Sequence, residues 1–584
     1  MSADFKTTLV KQSVLADITD ELDYAVMSGG SSSTFQQFNA VSTSSSSVTF
    51  NLQVPSENIV VNRELSIQSD IFFTISITNV PVGQSAFDYG NTDSLQAFPF
   101  NSLFTTSSAQ INNTNVSVNT QDVLPQLIRL NNSRELYKYN GFTPTLPDQA
   151  YKSYNDGVNA SNNPMGDYND TSYDVDLMPR GAYPLTSAVI NHSIAGVPTD
   201  ADLVSTALTD TWTIECAVNV TEPLIGLSPF VFGDCDYNKQ GLVGINAMSF
   251  VFNIDSTCKR FFSSASSPAG YGGVARTISC ALGTTAQPNP FQNCRMLANF
   301  ISTQPSDLIP ARNVTPYMDF PRYLSLQSST GVLAGGASAT LNSQNIQINQ
   351  LPDYFIVAVR KPMSQQTITD TSSFLKLNSI SVNLNNASGL LSSATPQDLW
   401  RISSANNSTQ NWQEFNGSAS VASTASTSVA EAVNTTGSLL ILSPAFDLSL
   451  PDYLSSGSIG QYNFQMQMNV TNNSADSFTP EICIMCVNSG VFTTIAGSSS
   501  IFTGILTKSM VLNAKAEESV DPVSSAQYKR MIGGNLGNRI ATAVKKMPFL
   551  RDIAGKARAL VGMGVPSGAG VMSAGGSRLD ALCG

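Results

Sequence analysis

Between Ser47 and Val54 the apolar residues Val48, Phe50, Leu52 and Val54 alternate with Ser, Thr, Asn and Gln. A period of two sends successive side chains to opposite faces, so this stretch predicts a strand with one buried and one wet face. Phe73, Ile75 and Ile77 repeat the pattern between Thr74, Ser76 and Thr78. Trp212, Ile214, Cys216, Val218 and Val220 do so again, and Met248–Ile254 follows it less cleanly. A second series begins after the proline-containing stretch Ser306–Tyr323, with Ile346–Ile348, Tyr354–Val359, Leu375–Leu384, Leu439–Leu442, Gln461–Val470 and Ile482–Val487. In Gln461–Val470, Phe464, Met466, Met468 and Val470 share one face, and Gln465, Gln467 and Asn469 share the other. Two successive sets of short strands, parted by turns and long loops, predict an all-β chain of two β-sandwiches or jelly rolls.

Three segments depart from this pattern. Thr395-Pro396-Gln397-Asp398 offers an N-cap, a proline at the first helical position and an acidic first turn. Leu399, Trp400 and Ile402 give the predicted helix an apolar side. From about Tyr137 to Tyr183 the chain is dense in Asn, Asp, Gly, Pro and Tyr, which predicts a long exposed loop. Before about Ser46, Met27-Ser28-Gly29-Gly30-Ser31-Ser32-Ser33 predicts a flexible arm. The expected organisation is an arm over 1–45, a first roll with long surface loops over 46–300, a second roll over 301–515 and a tail over 516–584.

Composition agrees and removes several chemistries. A length of 584 residues exceeds what one core serves. Charged residues reach 12%, about half the usual ~25% of a soluble domain, too few for long amphipathic helices. The single histidine, His192, leaves no material for a multi-histidine metal site, and a Ser-His-Asp triad would have to be built on that residue alone. Its setting, Val189-Ile190-Asn191-His192-Ser193, predicts a loop or strand-edge residue. Cys483-Ile484-Met485-Cys486 is formally a CxxC, but it lies in an apolar run without further ligands nearby, which predicts buried strand thiols. The carboxylates Asp234 and Asp236 could in principle form a glycosidase pair. Gly233-Asp234-Cys235-Asp236-Tyr237-Asn238 reads more simply as a turn. The expectation is therefore no enzyme, no cofactor and no metal. Met1–Lys6 lacks the apolar stretch of a secretory signal, and no run of ~18 apolar residues occurs. Synthesis inside the cell without a transmembrane helix is expected.

Charge is unevenly placed. The chain has a formal net charge of −12, yet from Lys529 onward it holds nine basic and two acidic residues. Leu536, Ile540, Val544 and Met547, then Phe549, Ile553, Ala557 and Leu560, recur at helical spacing on either side of Pro548. With Lys529, Arg530, Arg539, Lys545, Lys546, Arg551, Lys556 and Arg558 they predict two short basic amphipathic helices. Such a tail suits a packing helix at a domain end, or a segment that binds nucleic acid, lipid or a protein partner.

Several patches, in order, resemble one family. In the first half they are Val54-Pro55-Ser56-Glu57-Asn58-Ile59-Val60-Val61-Asn62-Arg63 and Pro229-Phe230-Val231-Phe232-Gly233-Asp234. In the second they are Gln304-Pro305-Ser306-Asp307-Leu308-Ile309-Pro310-Ala311-Arg312-Asn313-Val314 and Leu384-Asn385-Asn386-Ala387-Ser388-Gly389-Leu390-Leu391-Ser392. Ser456-Gly457-Ser458-Ile459-Gly460-Gln461-Tyr462-Asn463-Phe464 and Phe502-Thr503-Gly504-Ile505-Leu506-Thr507-Lys508 complete them. Over residues ~45–515 the chain is similar to the major capsid proteins of Polintons, adintoviruses, polinton-like viruses and virophages, and more distantly to adenovirus hexon. The resemblance implies a double jelly roll, two eight-stranded rolls standing side by side, and a homotrimer that acts as a pseudo-hexameric tile of an icosahedral virion shell. It also implies a vertex penton protein, minor or cement capsid proteins, and trimming by a viral maturation protease. Met531-Ile532-Gly533-Gly534 before Asn535, and Leu560-Val561-Gly562-Met563 before Gly564, are similar to sites of that protease. The tail would then guide assembly and be released. A viral spike or fibre, or a glycan-binding β-protein, is the alternative that shares this composition.

Overall fold

The computed structural model describes residues 6–10, 24–28 and 31–503, except 88, 90–92, 131–137, 146, 148–182, 184, 195–196, 201–202, 231–240, 265–275, 304–311, 386, 423–429, 449–456, 475 and 496. The first half folds as two facing antiparallel sheets. One has the strand order Thr114–Val118, Phe104–Ile111, Ala247–Ile254, Ser47–Gln53, Ser42–Thr43. The other runs Val197–Asp200, Ser187–Ile194, Thr211–Pro223, Ser66–Thr78, Phe291–Thr303, Ile59–Asn62, Gly241–Leu242. Thr277–Leu282 adds to Ser66–Thr78, and Ser31–Asn39 adds to Phe291–Thr303. The alternation read in the sequence is the reason these sheets face each other. Val48, Phe50 and Leu52 from one sheet and Ile71, Phe73, Ile75 and Trp212 from the other fill a common core. Each large side chain so buried contributes ~1.5–3 kcal/mol.

The second half repeats the architecture. Its first sheet runs Arg312–Asp319, Glu481–Ile495, Tyr354–Arg360, Leu440–Leu442, with Arg322–Leu326 and Ser498–Thr503 also paired to Glu481–Ile495. Its second runs Ser338–Asn342, Ile459–Thr471, Lys376–Leu384, Ala387–Leu390, with Ile346–Gln350 also on Ile459–Thr471. Phe464, Met466, Met468 and Val470 point inward as the alternation requires, and Phe464 stacks on Phe355 of the facing sheet at 4.3 Å between ring centroids. The molecule is a double jelly roll. Each roll carries more than eight strands, because short pieces such as Ser42–Thr43 and Ala387–Leu390 extend the sheet edges.

Three local expectations are corrected. Ser31–Asn39, placed in a flexible arm, is a strand whose backbone pairs with Phe291–Thr303, and Phe38 lies edge-on to Phe300 at 6.0 Å. A sheet edge supplies hydrogen-bond partners that a local reading of Ser-rich sequence cannot see. Arg312–Asp319, read as part of a connecting stretch, is a strand against Glu481–Ile495 despite Pro316. His192 sits neither in a loop nor on a sheet edge. It lies in Ser187–Ile194 between two partner strands, is buried, and its ring stacks near Trp212.

The predicted helix is present over Pro396–Ala405. Thr395 Oγ1 accepts from the Asp398 amide at 3.3 Å, and Asp398 Oδ2 accepts from the Thr395 amide at 3.1 Å and its hydroxyl at 2.6 Å. A second capping box, Asn411 with Glu414, starts the short helix Trp412–Asn416, and Trp400 meets Trp412 edge to face. Thr395→Ala removes the first cap, and the expected cost is ~1 kcal/mol in urea unfolding. No change would mean the helix is held by Leu399 packing alone.

Candidate functional site

The two rolls meet along a seam built from consecutive residues of single strands. In Glu481–Ile495, Ile482, Ile484 and Cys486 enter the second roll's core, whereas Met485 and Val487 join the core of the first. Tyr354–Arg360 divides likewise, with Phe355, Val357 and Val359 inward and Ile356 and Ala358 toward the first roll. Leu440 and Leu442 face one way and Ile441 the other. A sheet covered on both faces needs apolar residues at every position, and the unbroken run Ile482–Val487 has that physical reason.

Polar groups are set into the seam. The helix Thr120–Leu127 of the first roll presents Asp122 in its first turn. Asp122 pairs with Arg322 and with Arg360, both from the second roll, and Arg360 also reaches Glu481 Oε2 at 3.2 Å. Burial opposes the charge on Arg360, but Cys483, Asp122 and Glu481 outweigh it and hold its pKa above the usual guanidinium value. Arg260, fully buried nearby, donates from Nη2 to the Phe104 carbonyl at 3.0 Å. Burial lowers its pKa to about 10, against the pull of Asp255 and Asp122. Gln126 Nε2 donates to Cys483 Sγ at 3.1 Å.

The helix end makes the next contacts. Arg129 Nη2 donates to the Ser372 carbonyl at 2.9 Å, and its guanidinium lies 5.3 Å from the Phe374 ring centroid. The Arg129 carbonyl accepts from the amide and hydroxyl of Thr409 at 2.8 and 2.9 Å. Farther along, Ser499 Oγ donates to the Ile111 carbonyl at 2.6 Å, and Asn313 Nδ2 to the Gly241 carbonyl at 2.9 Å. Apolar cover, ion pairs and backbone contacts together leave one relative placement of the rolls.

The sequence candidates fall in different places. Cys483 and Cys486 are both buried in the Glu481–Ile495 strand, as expected. Three residues apart on a strand, they face opposite sides of the sheet and cannot grip one metal. Burial raises both thiols, Cys486 to about 12. Neither is expected to react with a maleimide in the native protein, and mass spectrometry before and after denaturation checks this. Asp234 and Asp236 lie outside the described residues, as do Met531, Gly533, Gly534, Asn535, Leu560, Gly562, Met563, Gly564 and the basic residues from Lys529 to Arg558. Among the described residues, no group of three or more His, Cys, Asp or Glu could hold a metal ion. Glu222, a buried carboxylate that the sequence did not single out, accepts from the amides of Phe100 and Asn101 at 2.8 Å, from Asn101 Nδ2 at 2.7 Å and from Thr143 Oγ1 at 3.0 Å. Those donors are all internal, so it acts as a structural acceptor. The seam itself went unrecognised in the sequence, although the apolar runs Phe355–Val359 and Ile482–Val487 carried its signal.

Comparison with known proteins follows the same division of the chain. A family model described as the Sputnik virophage major capsid protein first domain matches residues 3–301, and one described as the major capsid protein V20 C-terminal domain matches residues 320–490. A capsid protein designated V20 from Sputnik virophage is 26% identical over 555 residues, covering 92% of this chain and 87% of that protein. A chain of the Sputnik virophage cryo-EM structure superposes with a TM-score of 0.70 at 25% identity, covering 89% of this chain and 98% of that one. The mavirus major capsid protein crystal structure gives 0.62 at 16% identity, covering 89% and 100%.

Proposed function

The chain belongs to the Sputnik virophage major capsid protein family, and from that premise we propose that three copies form a pseudo-hexameric tile of an icosahedral shell. As a major capsid protein its place is the virion. Two rolls per chain give six similar wedges around a threefold axis, so a cyclic trimer has a near-hexagonal outline. Such a tile needs the angle between the rolls to be constant. The observation that carries the reading is the sheet of Glu481–Ile495, covered on one face by its own roll and on the other by the first. The role is structural, without catalysis. Permanent interfaces of ~2,000–5,000 Å² suit the trimer, and many weak contacts between tiles suffice once they act together.

Light scattering and negative-stain microscopy of the purified protein test this. The expected particle has three times the 62.1 kDa chain mass and a hexagonal outline. A monomer under assembly conditions, or an elongated fibre, refutes it.

A penton protein would occupy the vertices and minor or cement proteins the gaps between tiles. The tail from Lys529 onward would meet the genome or an inner membrane during assembly. A maturation protease acting after Gly534 or Met563 would then release part of it. Mass spectrometry of mature particles is expected to show a C-terminus at Gly534 or Met563, and an intact one ends the release idea.

A further inference from the structure

Strand Glu481–Ile495 changes surroundings along its length. Up to Val487 both of its faces are covered, by the cores of the two rolls. From Gly490 to Ile495 it is the middle strand of three, between Arg312–Asp319 and Ser498–Thr503. Residues directly opposite each other on neighbouring strands share a face, so the registers sort these residues into two sets. One set holds Tyr317, Phe492, Ser499 and Ile501. Tyr317 and Phe492 belong to the first roll's core, Ile501 packs against it, and Ser499 Oγ donates to the Ile111 carbonyl. That face is closed.

The opposite face is apolar and open. It carries Pro316, Met318, Val491, Ile495 and Phe502, and Arg312 and Val314 share it by register. Met318 and Ile495 are 50% exposed and Phe502 is 48% exposed. Its other described side chains are those of Ser489, Thr493, Ser498 and Ser500, so none of the described ones is charged. A solvent-facing strand of the same roll is built differently, since Ile459–Thr471 turns Gln461, Asn463, Gln465 and Gln467 outward. A contiguous apolar face marks a surface that something covers.

The chain supplies a cover of matching chemistry at one end of this face. Ser498–Thr503 ends opposite Gly490, one step from the Met318–Ser489 pair. The sequence then continues Gly504-Ile505-Leu506-Thr507-Lys508-Ser509-Met510-Val511-Leu512, outside the described residues, with five large apolar side chains and one charge. From Met318 to Arg312 the face is ~20 Å long at ~3.3 Å per residue. Residues 505–512 reach ~26–29 Å when extended. A segment tethered beside its site acts at an effective concentration in the ~millimolar range, so a modest apolar contact holds it.

We propose that residues 505–512 dock on this face of their own chain, running from the Met318 end toward Arg312. Docking covers Met318, Ile495 and Phe502 and fixes the root of the basic tail to the body of the subunit. The docked segment lies upstream of Gly534, so it stays with the subunit whether or not the tail beyond is released.

A photoreactive benzoylphenylalanine in place of Met318 in the full-length protein tests the contact. Irradiation is expected to join position 318 to a peptide within 505–512, in a product that keeps the single-chain mass on a denaturing gel. A product of twice that mass would assign the face to a second copy, and a link elsewhere or none would leave it open. Each of those results overturns the proposal. Trypsin supplies a second measurement, since Lys508 lies within the docked segment and Lys529 beyond it. Met318→Asp combined with Ile495→Asp is expected to speed cleavage after Lys508 at least tenfold and to leave cleavage after Lys529 unchanged. Equal rates after Lys508 in the folded variant would also overturn it, and should that variant misfold, the crosslink decides. Particle size separates this contact from the tile: a monomer with the intrachain link refutes the tile alone, and a trimer linked between chains refutes the contact alone.

Discussion

Asp122→Ala is expected to destabilise the protein by ~3–5 kcal/mol and to abolish ordered tiles, because it takes from Arg322 its carboxylate and from Arg360 one of two at the seam. Arg360 is buried and Arg322 half-buried, and Asp122 is the carboxylate both of them share. Glu481, at 3.2 Å from Arg360, would be left to serve one of them alone. A buried ion pair adds little net stability over well-packed apolar residues, but removing one partner leaves a desolvated charge with nothing to balance it. In a Glu481→Gln background, so that no carboxylate is left unpaired, replacing Asp122, Arg322 and Arg360 together by Leu, Met and Met should therefore recover most of the loss, to within ~1 kcal/mol. Urea unfolding gives the energies and negative-stain microscopy gives the tiles. If charge pairing sets the angle between the rolls, the triple variant is stable yet assembles poorly. Normal tiles from that variant would show that apolar cover alone sets the angle.

Ile484→Ala and Met485→Ala are each expected to cost ~2–5 kcal/mol, although they are neighbours on one strand. In a strand with one wet face, one of two neighbours is cheap to truncate. Here Ile484 fills the second roll's core and Met485 the seam, so both leave cavities. Strand Ile459–Thr471 supplies the contrast, since it has a solvent face. Met466→Ala should cost ~2–5 kcal/mol, while exposed Gln465→Ala should fall within ~0.5 kcal/mol. Unfolding midpoints of the four variants test the difference. A cheap Met485→Ala would mean that the rolls are not packed through this sheet, and the rigid tile would lose its basis.

Strands with alternating faces were legible because their burial is set locally: a residue's parity in Ser47–Gln53, Ser66–Thr78 or Ile459–Thr471 fixes which side meets the core. The capped helix Pro396–Ala405 was legible for the same reason, since Thr395 and Asp398 satisfy each other within one turn. Ser31–Asn39 was not, because its stabilising partner lies more than 250 residues away in Phe291–Thr303. Nor was Ser187–Ile194, whose Ser, Asn and His interrupt the pattern and whose pairing with Thr211–Pro223 overrides it.

By itself the sequence determined that the chain is β-built, that it holds two successive sets of strands, and that its single histidine supplies no multi-histidine site. Those properties follow from composition and from a period of two, which any strand must obey whatever it packs against. Only the tertiary structure decided how the sets join: which face of Glu481–Ile495 meets which core, and which carboxylate balances Arg322 and Arg360. A run of apolar residues states that both faces are covered but not by what, and a charge acquires its partner only when distant segments are brought within hydrogen-bonding reach.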